Sequence, residues 1–232
     1  MQPVRELVAV HAWPQDQWLA VQALRSAQAM AVIRIATPAT ENRTAARSLV
    51  RSALRETLAI LLGQPAASIT LVSPVGRAIW VDSTPLQLRL SISHSPGVSV
   101  AAICRGASVG TDVMRVEAAT YEHLDLMRLA RDYLGPQATA LLQCTPPETF
   151  PSAFGQAWTG FEAALKCLGL ALTEWSPELA IQLARCRVFA LDLPADYCGS
   201  VAIAAHVLPP PTTDSKRDVP YGPLGRLSVR PN

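Results

Sequence analysis

WTGFEAALKCLG, residues 158–169, is the stretch on which the reading of this chain turns. Glu162 and Lys166 stand four residues apart, on one face of any helix that forms here, and Gly169 supplies a stop. Glu before Lys at this spacing is the ordinary order of a surface ion pair, worth about 0.2–0.5 kcal/mol. The pair is therefore open to two readings, a solvated helix face or two parts of a site. VGTDVM, residues 109–114, bears on the choice. Asp112 follows a strand by way of Gly110; it reads as a turn residue, or as a strand-end carboxylate suited to a hard cation such as Mg2+.

Working outward, FGQAWTGFEAALKCLGL is a strong helix ending near Gly169, and CRVFALDLP and GSVAIAAHV close the fold as strands. Upstream, residues 4–12 alternate as a first strand, and 37–63 form the clearest helix, with Leu49, Ala53, Leu54, Leu58 and Leu61 or Leu62 on its core face. Arg43, Arg47 and Arg51 recur at i, i+4, i+8 on another face, either a solvated stripe or an anion-facing ridge. Residues 68–74, 75–82, 86–95 and 97–105 read as strands; in the third, Leu88, Leu90 and Ile92 share one side. Residues 121–143 read as a helix broken at Gly135-Pro136. PGVSVAAI (96–103) and CGSVAIAA (198–205) resemble each other weakly, as a duplicated unit or two Ala/Val-rich strands would. The chain divides as 1–105, an N-terminal α+β half, 106–208, a C-terminal α+β half, and 209–232, a Pro-rich tail expected to be disordered.

Half of the 232 residues are hydrophobic and 16% are charged, enough apolar content for a core. A net charge of +2 announces no nucleic-acid partner. No apolar run reaches the roughly 18–20 residues of a membrane span, and the N-terminus lacks the order of a signal peptide. Five scattered cysteines without C-x-x-C argue for small buried hydrophobes in a reducing cytoplasm, not a disulfide framework or zinc site. There is no G-x-x-x-x-G-K-[ST], G-x-G-x-x-G or G-x-S-x-G, and the histidines never fall at metal-ligand spacing. SISHSPG places Ser93 and His94 at a strand end before a turn, where hydroxyls, an imidazole and turn amides can hold a phosphate, or simply form a turn.

Along the chain come a basic helix, G-R-x at 76–78, SISHSPG, VGTDV and W-T-x-x-E-A-x-x-K-x-x-G. Their order resembles the surfactin-synthetase-type 4′-phosphopantetheinyl transferases over residues 4–207. The resemblance implies an α+β fold of two similar α/β halves, pseudo-duplicated, with the site in the cleft between them. It implies transfer of 4′-phosphopantetheine from coenzyme A to a serine of an apo acyl or peptidyl carrier protein, releasing 3′,5′-ADP. By it, Asp112 and Glu162 bind Mg2+, Glu162 or a water it holds takes the serine proton, and Lys166 steadies phosphate charge. Arg77, Ser93 and His94 fall where that family grips the nucleotide, with Arg43 and Arg47 as further contacts. By the same resemblance the stretch from Arg115 to Leu134 borders the carrier-docking surface; a monomer is expected because one chain forms both halves of the site, and the cysteine usage points to the cytoplasm.

The chain departs from the pattern at Met114 (family glutamate), Phe161 (family lysine), Gln137 (family glutamate) and Ala78 (family proline). A thioether is a poor ligand for a hard ion. Two acidic ligands with water in the vacant position is one outcome; a degenerate module that binds coenzyme A or a carrier protein without turnover is the other.

Overall fold

The computed structural model describes residues 7–39, 43–73, 78–82, 84, 86–116 and 123–205, the side chains of Arg43 and Ala205 excepted. Alternation builds its first sheet. In β6 (Leu88–Ser95), Leu88, Leu90 and Ile92 join an aliphatic core, while Ser91, Ser93 and Ser95 point the other way. The same period of two runs through β7 (Val98–Arg105) and β3 (Met30–Ala36). With β2 (Val10–Trp13) they form a four-stranded sheet in the order β2-β3-β7-β6, antiparallel except for β2 against β3. One face is covered by α1 (Gln17–Arg25) and α2 (Arg43–Leu62), whose Leu24, Val50, Ala53, Leu54 and Leu58 are fully buried.

The second sheet has the order β1-β9-β10-β8, from β1 (Leu7–Val8), β8 (Ala107–Arg115), β9 (Arg187–Leu191) and β10 (Tyr197–Ala205). Again the edge pair β1 and β9 is parallel and the rest antiparallel. Val32, Val100, Val109, Val113 and Val201 fill the space between the two sheets. The outer face of the second sheet carries α5 (Phe150–Leu168), through Ala163, Ala164 and Cys167 against Ala202 and Ala204. The layers are thus helix, sheet, sheet, helix. β1 and β2 are consecutive in the chain, so one N-terminal segment pairs with both sheets. A short pair, β4 (Leu71–Val72) with β5 (Trp80–Val81), lies beside the first sheet's core.

α5 is flanked by α3 (His123–Leu129), which continues through a π-helical turn at Ala130–Leu134 into α4 (Gly135–Gln143), and by α6 (Pro177–Leu183). Phe150, Phe154 and Trp158 of α5 stack in sequence against this flank, with ring centroids 6.3 and 5.8 Å apart. α5 ends at Gly169, whose φ of 70° is left-handed and favours glycine.

Several boundaries differ from the sequence expectation. The alternating N-terminal stretch becomes two short strands in two sheets, its first residues lying outside the described ones. The helix expected over 37–63 starts at Arg43. Among the described residues of 68–74 only Leu71–Val72 is strand, as β4, preceded by a 3-10 turn at Ala66–Ser68. At Gly135-Pro136 the helix is interrupted as the sequence suggested: the π turn ends at Gly135, whose φ of 79° and ψ of 172° lie outside the helical region, and α4 follows. α1, β3 and α6 lie in stretches the periodicity left unassigned. The expected Pro-rich tail, Arg77, and the side chain of Arg43 lie outside the described residues. Of the cysteines, Cys104 and Cys167 are buried, Cys186 and Cys198 are half-buried, and Cys144 is exposed, correcting the uniformly buried expectation; all five are free thiols. Burial pushes the Cys167 thiol up to about 12, with Cys186 beside it adding to the shift. No helix among the described residues is long and apolar enough to cross a membrane.

Candidate active site

Asp112 lies in the middle of β8, not at a strand end as the sequence suggested. Its side chain faces α5, and the residue is 6% exposed. Gly110, two residues earlier on the same face, explains how the helix comes so close. A Cβ there would overlap the Ala163 carbonyl oxygen and the Cys167 amide nitrogen of α5. Helix and strand therefore meet backbone to backbone, one helical step from Lys166.

Trp158, Glu162 and Lys166 form a row along α5 at i, i+4, i+8. The Trp158 indole N–H donates to Glu162 Oε1 at 2.9 Å, and Glu162 Oε2 is 3.8 Å from Lys166 Nζ. Lys166 Nζ donates to Asp112 Oδ1 at 2.6 Å and to the Thr111 carbonyl at 3.3 Å. The Ser93 hydroxyl donates to the same Asp112 oxygen at 2.6 Å. Lys166 is thus no mere surface partner of Glu162; its shorter bond crosses to the neighbouring sheet.

Two carboxylates share one ammonium, so the cluster is one positive charge short of neutrality. Glu162 registers this. Burial pushes its carboxyl above the usual range, the charge of Asp112 pushes it further, and Lys166 with the Trp158 hydrogen bond only partly offsets them. Such a site favours a further cation. The donor set is two hard carboxylates, which suits an ion of the Mg2+ type that keeps waters for its remaining positions. Among the described residues no group of three or more His, Cys, Asp or Glu that could hold a metal ion is found.

The other two expected positions are packed, not vacant. Met114 follows Asp112 on the helix-facing side of β8 and joins Phe150, Phe154 and Trp158 in an aromatic cluster. Its methyl group lies 2.9 Å from where a Cβ of Gly155 would be, so methionine fills the room that the glycine leaves. Phe161 points away from Asp112 into a cluster with Leu165 and Leu179, and is 8% exposed.

The seam between the sheets explains SISHS. β6 and β8 lie side by side, bridged by side chains. The Ser91 hydroxyl accepts from the Thr111 amide at 3.0 Å, and the Ser95 hydroxyl accepts from the Arg115 amide at 2.9 Å. Serines at a spacing of two bring three hydroxyls to one side of β6 and satisfy the edge of β8. Ser93, the middle one, holds Asp112.

Along β6 opens a cleft of about 780 Å3, lined by Arg47 and Arg51 of α2, His94 and Ser91 of β6, Lys166, and Gly169–Ala171 beyond α5. Its floor is aliphatic, from Val50, Ile79, Leu90 and Ile92. Arg47, His94 and Lys166, expected from sequence, thus meet at one cleft, with Ser93 and Asp112 joined to Lys166 and Glu162 next along α5. Arg51 was not among the expected contacts; its place on the same helical stripe was the available signal. Gly110, Ser91 and Ser95 were also missed, since their roles rest on partners distant in sequence; the role of Trp158 was missed too, although its i, i+4 spacing to Glu162 was an available signal.

Residues 108–199 match the family model described as the 4′-phosphopantetheinyl transferase superfamily. The match begins in β8, ends in β10, and contains Asp112, Glu162 and Lys166. Arg47, Ser93 and His94 lie before it. No curated protein matches the chain.

Proposed function

We propose that this protein transfers the 4′-phosphopantetheine group of coenzyme A to a serine of an apo acyl or peptidyl carrier protein, releasing 3′,5′-ADP. The observation that carries the reading is the cluster of Asp112, Glu162 and Lys166, one charge short of neutrality, at the edge of a cleft that presents Arg47, Arg51 and His94. The family match over residues 108–199 supports it.

Phosphoryl-type transfer is mostly positioning and charge neutralisation. Asp112 and Glu162 are the residues that would hold Mg2+, which supplies charge neutralisation for the pyrophosphate when bound. Ser93 and Lys166 fix the Asp112 carboxylate. Glu162, its carboxyl raised by burial and by the charge of Asp112, is a stronger base than an ordinary carboxylate and would accept the proton of the incoming serine. The serine oxygen forms the new bond to the β-phosphorus as the bond to the 3′,5′-ADP oxygen breaks. Lys166, a third exposed, faces the charge that develops there. Arg47, Arg77, Ser93, His94 and Arg43 remain the assigned nucleotide-binding set, although the hydroxyl of Ser93 is engaged by Asp112.

The fold reading follows the same line. Both four-stranded sheets, β2-β3-β7-β6 and β1-β9-β10-β8, begin with a short N-terminal edge strand paired parallel to its neighbour, and their remaining pairs are antiparallel. That recurrence supports a pseudo-duplicated architecture of the surfactin-synthetase type, with the site between the halves in a monomer. A cytoplasmic location belongs to the same proposal.

Met114, packed among aromatics, favours a second reading, a non-catalytic module that binds coenzyme A or a carrier protein. Intact-mass spectrometry of apo carrier proteins incubated with this protein, coenzyme A and Mg2+ separates the two. A gain of one phosphopantetheine, abolished by a chelator, is the expected result. No gain with any carrier, from protein that still binds coenzyme A, overturns catalysis and leaves the binding module.

A further inference from the structure

Two hydroxyls interrupt an otherwise aliphatic sheet face. Where β3, β7 and β6 meet α1 and α2, the buried side chains include Ile33, Ile35, Ala101, Ile103, Leu88 and Leu90. At one end this face carries Thr37, Ser99 and His94 instead. Ser99 is fully buried and Thr37 is 9% exposed. Ser99 is the cross-strand partner of His94, and its Oγ lies 2.7 Å from His94 Nδ1 and 3.3 Å from Thr37 Oγ1. Thr37 is pinned in turn, its amide donating to the Gly97 carbonyl at 3.0 Å. A hydroxyl buried among hydrocarbon is costly unless hydrogen-bonded, so these two are anchored by each other and by the imidazole. The His94 side chain itself lines the cleft.

An imidazole gripped at one nitrogen is fixed in orientation, and the partner at Nδ1 sets what Nε2 carries. A Ser99 hydroxyl that donates to Nδ1 leaves the ring proton on Nε2. Its own oxygen then accepts from the Thr37 hydroxyl, and each group uses the donor it has. The result is an N–H donor at Nε2 of a ring that borders the cleft, which matches an anionic oxygen. We propose that Ser99, backed by Thr37, is the positioning residue that holds His94 in this tautomer and orientation toward a phosphate oxygen of the nucleotide. The phosphate half of the proposal rests on the reading of the cleft as a coenzyme A site.

The test uses the full chain with Ser99→Ala, Thr37→Val and Thr37→Ser. The free proteins are read by 15N NMR of the His94 ring, and the kinetics by KM for coenzyme A against kcat. In the wild type the ring nitrogens should report an Nε2–H tautomer. Ser99→Ala should shift them to a tautomer average and raise KM about tenfold with kcat unchanged, the effect of one lost hydrogen bond. Thr37→Val should do the same to a smaller degree, and Thr37→Ser, which restores the hydroxyl, should behave as wild type. If Ser99→Ala does not fold, the Thr37 pair carries the test. An Nδ1–H tautomer in the wild type, or unchanged ring signals and KM in the variants, overturns the proposal. A fall in kcat at constant KM overturns it too. Ring signals as expected from a protein that binds no coenzyme A support the hold on His94 but overturn the functional reading, so the two failures are told apart.

Discussion

Gly110→Ala tests how the site is assembled. The added Cβ would overlap the Ala163 carbonyl oxygen and the Cys167 amide nitrogen, and lie 3.0 Å from Cys167 Cα. All three are helix backbone atoms and cannot rotate aside. Carbon atoms settle at about 3.5–4.0 Å, so α5 must retreat from β8 by roughly 1 Å at this point. Lys166, adjacent to Cys167, now bonds Asp112 at 2.6 Å, and a retreat of that size stretches the bond out of good geometry. Overpacking costs about 1–3 kcal/mol and a hydrogen bond to a charged group about 1.5–3 kcal/mol. Part of the second is recovered by side-chain adjustment, so the expected loss is about 2–4 kcal/mol. Gly160→Ala on α5 is the control, because its Cβ meets Val188 Cγ1 at 3.5 Å and the Ser200 hydroxyl at 3.7 Å, both ordinary contacts. It should be neutral or gain up to about 1 kcal/mol from helix propensity. Urea unfolding gives the stabilities, and the mass shift of a carrier protein gives the rate. A Gly110→Ala protein with wild-type stability and rate would refute the claim that backbone contact at Gly110 sets the distance between Lys166 and Asp112.

Four further outcomes are expected. Glu162→Gln should lower transfer by at least about 100-fold, the usual worth of a general base, while the protein still folds; a wild-type rate would remove Glu162 from the chemistry. The same variant checks the raised Glu162 carboxyl. A folded-state value above the unfolded one contributes stability that is full in acid and is lost as pH rises through the folded-state value. In urea titrations with chelator between about pH 4 and 8, the wild type should therefore lose stability relative to Glu162→Gln as pH rises, and parallel curves would contradict the shift. Lys166→Met leaves the nearly buried Asp112 without its ammonium and should cost about 1–3 kcal/mol, less than a fully buried pair because Lys166 is a third exposed; an unchanged urea midpoint would speak against the bond between α5 and β8. Ser91→Ala orphans the buried Thr111 amide and should cost about 1–3 kcal/mol, and a neutral result would show that the serine seam is not what joins β6 to β8.

The local chemistry of this chain was legible in its sequence because it repeats at helix and strand periods. The i, i+4 spacing put Glu162 and Lys166 on one face, the alternation of 88–95 separated leucines from serines, and Gly169 marked the end of α5. Arg47 and Arg51 were visible as one stripe for the same reason. What periodicity does not carry is the partner across a fold. Asp112 looked like a strand-end residue because its neighbours Gly110 and Thr111 resemble a turn; the glycine is there for the helix, and the threonine amide for Ser91. The sequence likewise offered Ser93 to a phosphate, and the structure gives its hydroxyl to Asp112. Phe161 and Met114 read as lost ligands, whereas packing accounts for both, one against Leu165 and Leu179 and the other against Gly155. Residues 4–12, 68–74 and 75–82 read as strands, but how short β1, β2, β4 and β5 are, and where they pair, is set by hydrogen bonds to distant strands or to one another. Sequence alone determined which groups were available: two carboxylates, an ammonium, basic side chains, hydroxyls and an imidazole. Only the tertiary structure decided that Lys166 is shared between Asp112 and Glu162, because that bond depends on how closely a helix can approach a strand from another part of the chain.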